Sequence, residues 1–536
     1  MGDVLGAVNR ESELVAVARQ LGAETVPAVA EPERALLAGV GGVSPSFAHR
    51  VANRIRSGHD PLGDAFCRLR TPADRRVSGA TYTPQSIVAS MIAWAKLNTA
   101  PVRIVDTGVG SGRFMLAAAR AFRGAKLIGA ETDPLAAVIA RANLAAAGFA
   151  DRAHILLSDY RSLSLPPVDG PTLFIGNPPY VRHHLISPDW KEWLTARAKD
   201  YGYAASQLAG LHVHFFLATA GLAKAGDAAV LITAGEWLDV NYGKLVRDLF
   251  LNELGGKSIH LIDPTAQPFP DAATTAAITT FDIGARPTSI RFKRIEKLAS
   301  LGVLEGGRAV RRERVEAANR WTVFSRTIVK PPTGFVELGE LCQVHRGQVT
   351  GANHIWIAGE HSAGLPDSVL FATVTKAREL IGAGVALTDN APLRRVIDLP
   401  VDLNELGAAD RKRVDAFLRI AKQMGADKGF IATNRKAWWS VGLRRPAPIL
   451  ATYMARRSPA FVRNLADARH INIAHGIYPR EPMPEHVLEA LAETLGRTTS
   501  VQQGRTYAGG LTKFEPKEME RLLVPDPKIL ATTGLE

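Results

Sequence analysis

The sequence predicts an α/β fold in which a predominantly parallel sheet carries helices on both faces. Between about residue 76 and residue 290, short runs rich in aliphatic and β-branched residues alternate with helical patterns, which is typical of such a sheet. The polar motifs of this region each follow a predicted strand, where ligands of these sheets bind. Beyond about residue 330, dense arginine and scattered aromatics replace the alternation. This change predicts a separate domain of mixed α+β structure.

The elements follow in order along the chain. Residues 1–75 contain helical patterns without recognisable chemistry, and we interpret them as a packing or docking extension. We assign the α/β domain to residues 76–330 and the mixed domain to residues 331–536, because the charged run VRRERVEAANR and the turn-forming KPPTG lie between them. The predicted strands are VRIVDTG, AKLIGAETD, HILLSDY, PTLFIGNPP and AAVLITAG, and the predicted helices are GRFMLAAARAF, PLAAVIARANLAAAG and LHVHFFLATAGLAKAG.

The composition excludes several classes of protein. Two cysteines, Cys67 and Cys342, are too few for a disulfide framework and lack metal-ligand spacing, so no metal is expected. No stretch approaches the roughly 18 apolar residues of a membrane span, and the N-terminus lacks the pattern of a signal peptide. We therefore expect a cytoplasmic protein without a membrane partner.

The charge points to a polyanionic partner. The net charge is +13 and the pI is about 9.8, which favours nucleic acid, although a merely solvated basic surface would give the same totals. From Arg411 to Arg469 there are fourteen Lys and Arg residues against three Asp residues. This local density predicts a surface that follows a phosphate backbone.

The first motif is the glycine run DTGVGSGRF, which ends one predicted strand and opens a helix. Small residues there allow a cofactor to approach the backbone, and the helix N-terminus presents free N–H groups, although a tight turn alone would look similar. The spacing departs from the G-x-G-x-x-G of NAD enzymes, which disfavours a dehydrogenase and favours a small zwitterion such as S-adenosylmethionine. The candidate cofactor residues of this motif are Asp106, Gly108, Gly110, Gly112 and Phe114.

Acidic residues end the next two predicted strands. Glu131 lies 25 residues after Asp106, where an acid accepts hydrogen bonds from ribose hydroxyls. Asp159 is a candidate acceptor for an adenine amino group, and Tyr160 can lie against a ring. Asp159 alone would also suit a loop cap. Three such strand ends in series favour a nucleoside site.

The tetrapeptide Asn177-Pro178-Pro179-Tyr180 follows the fourth predicted strand. An adenine amino group is a poor nucleophile because its lone pair is conjugated into the ring. The Asn177 side-chain oxygen and the Pro178 carbonyl are candidate acceptors for its hydrogens, and the prolines hold the backbone rigidly. Tyr180 offers an aromatic face to a base taken out of the stack. This pattern predicts direct methyl transfer to an amino nitrogen, without a metal or a covalent nucleophile.

These motifs, in this order, resemble the gamma-class adenine-N6 DNA methyltransferases of restriction-modification systems. Tyr82-Thr83-Pro84 matches a segment that holds the methionine part of the cofactor in that family, and Asn177 also borders the cofactor. The resemblance implies a Rossmann-like class I S-adenosylmethionine-dependent methyltransferase domain. It also implies that Phe269 stacks on the flipped adenine. HRGQVTGANHIWI, RRPAPILATYM and GRTYAGGLTKFEPKEMERLLVP resemble segments of the family's C-terminal target recognition domains.

The resemblance implies a site-specific enzyme that acts on double-stranded DNA in the prokaryotic cytoplasm, associated with the nucleoid, with a possible separate restriction endonuclease. No D…(D/E)xK arrangement is evident, so cleavage by this chain is not expected. The open alternatives are an NPPY methyltransferase acting on RNA or protein glutamine, and a non-catalytic DNA-binding subunit. The candidate DNA contacts are Arg182, Arg346, Arg444, Arg445, Arg456, Arg457 and Arg463.

Overall fold

The structure is a computed structural model that describes residues 5–6, 8–75, 82–263, 266, 268–269, 275–325, 332–455, 457–507 and 511–533. The chain divides into two compact units. The first covers Met1–Thr327, and the second covers Ile328–Tyr507 and Leu511–Glu536. Residues 1–75 thus belong to the same unit as the α/β region.

The first unit is built on one nine-stranded sheet. Its strands are β1 (Arg103–Asp106), β2 (Lys126–Glu131), β3 (Ala153–Leu157), β4 (Thr172–Gly176), β5 (Ala228–Ala234), β6 (Gly256–Ile262), β7 (Ala276–Asp282), β8 (Ser289–Ile295) and β9 (Arg308–Arg311).

The helices of this unit lie on both faces of the sheet, and helices of the N-terminal segment lie on the helix Pro134–Ala146. They are α1 (Glu11–Gln20), α2 (Glu31–Ala38), α3 (Pro45–Arg56), α4 (Pro61–Leu69), α5 (Pro72–Arg75), α6 (Gln85–Asn98), α7 (Arg113–Ala121), α8 (Pro134–Ala146), α9 (Pro188–Asp200), α10 (Leu211–Leu222), α11 (Lys244–Leu251) and α12 (Arg312–Glu316).

The strand order is β3-β2-β1-β4-β5-β7-β6-β8-β9. The first five strands in this order pair in parallel. β7 is antiparallel to both β5 and β6, and β9 is antiparallel to β8. The predicted α/β class with a predominantly parallel sheet is confirmed, whereas the reversed strand and the extension by β8 and β9 were not predicted.

Side-chain alternation along the strands supplies a core on each face of the sheet. In β4, Leu173 and Ile175 pack into the core beneath α6 and α7, whereas Phe174 packs into the core beneath α10 and α11. In β5 all seven residues are buried, because a strand covered on both faces leaves no solvent side. The sheet therefore holds the carboxyl ends of β1 to β4 in a fixed array.

The N-terminal helices pack on α8. A third core joins apolar residues of α1 to α4 to the outer face of α8, including Leu135, Val138 and Ile139. Arg141 of α8 and Glu33 of α2 form a fully buried ion pair, in which Nε and Oε1 are 2.5 Å apart. Residues 8–75 contain α1 to α5, and the packing of α1 to α4 on α8 makes them part of the first unit's core.

The second unit contains several smaller sheets and short helices. Its largest sheet has the order β11-β19-β15-β17-β13. The strands are β10 (Phe335–Glu337), β11 (Cys342–Arg346), β12 (Leu370–Val374), β13 (Ala386–Leu387), β14 (Arg395–Ile397), β15 (Ile449–Thr452), β16 (Met454–Ala455), β17 (Phe461–Asn464), β18 (Arg469–His470), β19 (Ala474–Pro479), β20 (Arg505–Tyr507), β21 (Leu511–Lys513) and β22 (Leu523–Pro525).

The helices of the second unit include one of sixteen residues and one of fourteen, and the fourteen-residue helix, Glu485–Thr498, packs over the main sheet. They are α13 (Leu338–Leu341), α14 (Asn353–Trp356), α15 (Ala377–Ala383), α16 (Ala408–Gln423), α17 (Phe430–Thr433), α18 (Glu485–Thr498), α19 (Pro516–Met519) and α20 (Pro527–Thr533). In the part of the chain that the structure describes, no helix has both the length and the apolar character needed to cross a membrane.

Candidate functional site

A pocket opens in the first unit at the carboxyl ends of β1 to β4, the edge at which the sequence motifs were expected to meet. The structure brings most of the predicted cofactor residues to its wall, together with two members of the tetrapeptide. These residues are Tyr82, Thr83, Gly108, Gly110, Phe114, Glu131, Asp159, Tyr160, Asn177 and Pro179.

The glycine motif forms a tight connection between β1 and α7. Gly110 has a φ of 54° and Gly112 a φ of 88°, a left-handed conformation that side chains other than glycine rarely adopt. Gly110 lines the pocket. Gly112 instead packs against Ala140 of α8, where an added Cβ would lie 3.5 Å from the alanine Cβ. Gly112 therefore supports the loop on the side that faces α8, away from the pocket.

Asp106 lies beneath the glycine loop rather than on the pocket wall. Its side chain is fully buried, and Oδ1 accepts a hydrogen bond of 3.2 Å from the Gly108 N–H. Burial, opposed by the hydrogen bond from the Gly108 N–H and aided by the negative charge of Glu131, raises the pKa of Asp106 to about 7. The carboxyl group thus supports the loop and titrates close to neutral pH.

This raised pKa gives an expected pH dependence of stability. An unfolded aspartate titrates near pH 3.9, so between about pH 4 and pH 7 the folded protein binds more protons at Asp106 than the unfolded chain does. The contribution of this group to stability therefore falls as pH rises through that window and levels off above it. Asp106→Asn keeps the acceptor for Gly108 and removes the titration. We expect the melting temperature of the variant, relative to wild type, to rise between about pH 5 and pH 8, and a constant difference would contradict the raised pKa.

Glu131 connects the glycine loop to the end of β2. Its Oε2 accepts from the Gly110 N–H at 2.8 Å, and Oε1 accepts from the N–H groups of Thr132 and Asp133 at 2.8 and 2.9 Å. Burial raises the pKa of Glu131. The backbone therefore fixes the carboxylate at the pocket wall, where its remaining lone pairs can accept from hydroxyl groups.

Asp159 and Tyr160 follow β3. The Asp159 carboxylate accepts from Nε and Nη2 of Arg161 at 2.9 and 2.6 Å. The Tyr160 ring stacks on Phe215 with centroids 5.1 Å apart, and its hydroxyl hydrogen-bonds to the Thr219 hydroxyl at 3.0 Å. Asp159 thus presents an oriented acceptor, whereas Tyr160 gives the pocket an apolar ring and directs its hydroxyl into the core.

Asn177 connects the tetrapeptide to Thr83, one of the predicted cofactor residues. Its Nδ2 donates a 3.0 Å hydrogen bond to Oγ1 of Thr83. The Asn177 carbonyl oxygen lies 3.8 Å from the position that a Cβ of Gly108 would occupy. Asn177 and Pro179 line the pocket, whereas Pro178 is buried behind them. The tetrapeptide and the glycine loop therefore lie beside each other.

Tyr180 and Phe269 meet beside the tetrapeptide. Their ring centroids are 5.6 Å apart and the rings are edge-to-face, at 77°. Phe269 is only 2% exposed, and burial raises the pKa of Tyr180 well above its usual range. Neither ring belongs to the pocket wall. The structure thus brings together two aromatics separated by 89 positions in the sequence.

The pocket fits S-adenosylmethionine in its donors and acceptors. Tyr82 and Thr107 line it with buried hydroxyl groups that have no hydrogen-bond partner among the described residues. Buried polar groups without partners are rare and costly, so these hydroxyls suit a polar ligand. The acids Glu131 and Asp159 suit a nucleoside, and the residues present therefore fit this cofactor.

The comparisons with known proteins agree with this geometry. Residues 172–269 match the family model of the Eco57I restriction-modification methylase, and residues 325–535 match that of the type II methyltransferase M.Eco57I, C-terminal domain. The type II methyltransferase M.XamI of Xanthomonas campestris pv. amaranthicola is 52% identical over 496 residues, which are 91% of this chain and 92% of that protein. The chain belongs to the type II methyltransferases of restriction-modification systems. The family predicted from the sequence is thus confirmed.

Two more distant proteins also match over most of this chain. The type II methyltransferase M.AccI of Acinetobacter calcoaceticus is 22% identical, over 84% of this chain and 85% of its own length. The type IIL restriction-modification enzyme MmeI, solved in complex with DNA, matches 99% of this chain and 82% of its own at 12% identity, with a TM-score of 0.54. At that identity the likeness concerns the fold alone.

The candidate DNA contacts of the methyltransferase differ in their accessibility. Arg182 in the first unit is exposed, as are Arg346, Arg444, Arg445 and Arg457 in the second unit. Arg456 lies outside the described residues.

Arg463, which the sequence suggested as a DNA contact, is instead buried and paired within the protein. It is 4% exposed, its Nη2 forms an ion pair with Glu485, and its Nη1 donates to the Pro448 carbonyl. A guanidinium engaged in this way within the main sheet is not available to a phosphate. We therefore leave Arg463 out of the proposed DNA contacts.

Three of the exposed arginines lie on or beside the β11–β19 strand pair, and we call Arg346, Arg444 and Arg445 the arginine cluster. Arg346 ends β11 and pairs in register with His475 of β19. Arg444 lies close enough to His345 of β11 to lower its pKa, as a second cause after burial. The Tyr478 hydroxyl of β19 donates to the Arg445 carbonyl at 2.9 Å. The cluster thus has a fixed place on the second unit.

Several site residues were not found from the sequence. Arg161 orients Asp159, and its guanidinium lies 3.6 Å from the centroid of the Trp190 ring. Phe66 of α4 lines the pocket, although it lies in the segment interpreted as an extension. The proximity of Arg161 to Asp159 in the sequence was a usable signal. No local pattern marks Phe66.

Proposed function

We propose that this methyltransferase is a site-specific enzyme that transfers a methyl group from S-adenosylmethionine to the N6 amino group of adenine in double-stranded DNA. The observation that carries the proposal is the position of Asn177-Pro178-Pro179-Tyr180. It follows β4, lies beside the glycine loop and contributes Asn177 to the wall of the pocket. An amino-nitrogen acceptor site therefore lies directly beside the methyl donor site.

The chain's own residues would activate and orient the target. The Asn177 side-chain oxygen and the Pro178 carbonyl accept the two amino hydrogens of adenine, which favours a pyramidal nitrogen with an available lone pair. Rigid prolines keep these acceptors in place, so little reorganisation is needed in the transition state. When bound, S-adenosylmethionine supplies an electrophilic methyl group on its sulfonium. Proximity and alignment then provide most of the rate.

The target adenine must leave the DNA stack to reach this site. Flipping costs a few kcal/mol, which an aromatic face can offset. Tyr180 and Phe269 are the rings beside the tetrapeptide, and their edge-to-face contact leaves Phe269 buried. We propose that the two rings separate when the base enters, so that Phe269 stacks on adenine.

The decisive test is a transfer assay. Purified protein is incubated with unmethylated genomic DNA and isotopically labelled S-adenosylmethionine, and the digested nucleosides are analysed by mass spectrometry. We expect label on N6-methyladenine with wild type, and at least about 10²-fold slower labelling with Asn177→Ala. Label only on RNA, or on glutamine in protein, would overturn the DNA proposal, as would label on another base.

The arginine cluster is proposed to contact DNA phosphates. Each phosphate contact contributes about 0.9 to the slope of log K against log salt. We expect Arg444→Gln combined with Arg445→Gln to weaken binding to all sequences and to reduce this slope by about 1–2. Fluorescence anisotropy over a salt series measures it, with exposed Arg34→Gln of the first unit as the control. An unchanged slope would remove Arg444 and Arg445 from the interface.

The family also suggests a partner. One matched family model is named for a restriction-modification methylase, and we propose that this chain protects DNA against a separate restriction endonuclease.

A further inference from the structure

We propose that the N-terminal helical segment completes the cofactor site, with Phe66 as a cofactor-contact residue and Asp60 as a positioning residue for the glycine loop. Nothing in the family models, which begin at residue 172, covers this segment. The inference rests on the proposed use of S-adenosylmethionine, and it assigns a binding role to helix α4.

The first step is the position of α4. Asp60 caps this helix, because its Oδ1 accepts from the Gly63 N–H at 2.9 Å. The first turn lies so close to the glycine loop that a Cβ on Gly63 would be 2.6 Å from Oγ of Ser111 and 2.1 Å from Oδ2 of Asp60. Only glycine permits this approach. The helix start and the loop are thus built against each other.

The second step is the set of hydrogen bonds at Asp60. Its Oδ2 accepts from the Ser111 hydroxyl at 2.5 Å and from Nε of Arg113 at 2.7 Å. Its Oδ1 also accepts from Nδ2 of Asn143 at 2.9 Å, and that amide donates to the Ser111 carbonyl at 2.8 Å. The Asp60 carboxylate therefore binds Ser111 in the glycine loop and Arg113 at the start of α7, and it joins both to α8.

Arg113 links Asp60 to residues of the pocket wall. Nη1 of Arg113 donates to the Thr83 carbonyl at 3.2 Å, and the guanidinium lies 5.3 Å from the centroid of the Tyr82 ring. The Tyr82 ring in turn contacts Phe66 at a centroid distance of 5.7 Å. Tyr82, Arg113 and Phe66 all line the pocket. Asp60, together with Asp64, whose Oδ1 accepts from Nη2 of Arg113 at 2.6 Å, thus positions the residues that would hold the methionine part of the cofactor.

Asp60→Asn isolates the positioning role. Asparagine caps helices as well as aspartate does, so α4 keeps its start, but the amide lacks the charge that attracts Arg113. We expect the Kd for S-adenosylhomocysteine, measured by calorimetry without DNA, to rise about tenfold, as for loss of a charge-assisted hydrogen bond. KM for S-adenosylmethionine rises in parallel, whereas kcat at saturating cofactor and the Kd for DNA change less than twofold. Asp74→Asn is the matched control, since Asp74 is an exposed acid of the same segment.

Phe66→Leu tests the direct contact. Leucine keeps most of the apolar volume in the core that Phe66 shares with α8, and a melting curve verifies that the variant folds. We expect Phe66→Leu to bind S-adenosylhomocysteine more weakly than wild type does. Lowering the temperature should restore little of the lost affinity.

The outcomes separate the inference from the proposed function. If wild type binds S-adenosylhomocysteine and both variants match it, the N-terminal segment is structural only and the inference is overturned. A loss of kcat and DNA affinity together with cofactor affinity would also overturn it, because that pattern indicates general disruption. If wild type itself binds no S-adenosylhomocysteine, the proposed function fails instead.

Discussion

Replacing Asn177 by alanine is expected to lower kcat for methyl transfer by about 10²–10³-fold, the usual effect of removing one preorganised polar group that acts on the transition state. The side-chain oxygen would accept an amino hydrogen of adenine, and nothing else in an alanine variant replaces it. The lost hydrogen bond from Nδ2 to Thr83 affects the cofactor side only indirectly. We therefore expect KM for S-adenosylmethionine to change much less than kcat.

Asn177→Asp is the informative companion variant. Aspartate keeps an acceptor oxygen at nearly the same position, and the Thr83 hydroxyl can donate to it in place of accepting. We expect this variant to retain far more activity than Asn177→Ala in single-turnover assays with a methylatable duplex. Equal and small losses in both variants would show that the side-chain oxygen does not activate the base.

The strand-helix framework was readable from the sequence because its signals are local. β1 to β5 are four to seven residues long, each has apolar residues at its centre, and turn or polar residues follow each strand. The position of β7 between β5 and β6 was not readable, because strand pairing depends on contacts that periodicity does not record. The same limit applies to β8 and β9.

The parts of the candidate site that consist of residues adjacent in sequence could be predicted. The glycine loop and the tetrapeptide each lie within nine positions, so their geometry follows from one strand end. The network of Asp60 joins positions 51 and 53 residues away, and no spacing rule predicts such contacts. Arg463 shows the reverse difficulty. Its charge suggested a surface, whereas Glu485 neutralises it in a buried position.

Replacing Glu131 by alanine is expected to raise the Kd for S-adenosylhomocysteine by at least about 10²-fold. The change removes the proposed acceptor for ribose hydroxyls, and it leaves the N–H groups of Gly110, Thr132 and Asp133 without the carboxylate. A buried donor left unsatisfied costs about 1–3 kcal/mol. The loop that receives the cofactor therefore loses its support as well as its contact.

Two further variants separate these contributions. Glu131→Gln keeps an oxygen for the backbone donors but lacks the charge, so its Kd should lie between those of wild type and Glu131→Ala. Glu24→Ala removes the same charge from an exposed site on the N-terminal segment and should leave the Kd unchanged. Calorimetry gives the three Kd values, and melting curves with and without ligand check them independently. Binding by Glu131→Ala within threefold of wild type would remove Glu131 from the cofactor site, and with it the reason for placing a ribose at the end of β2.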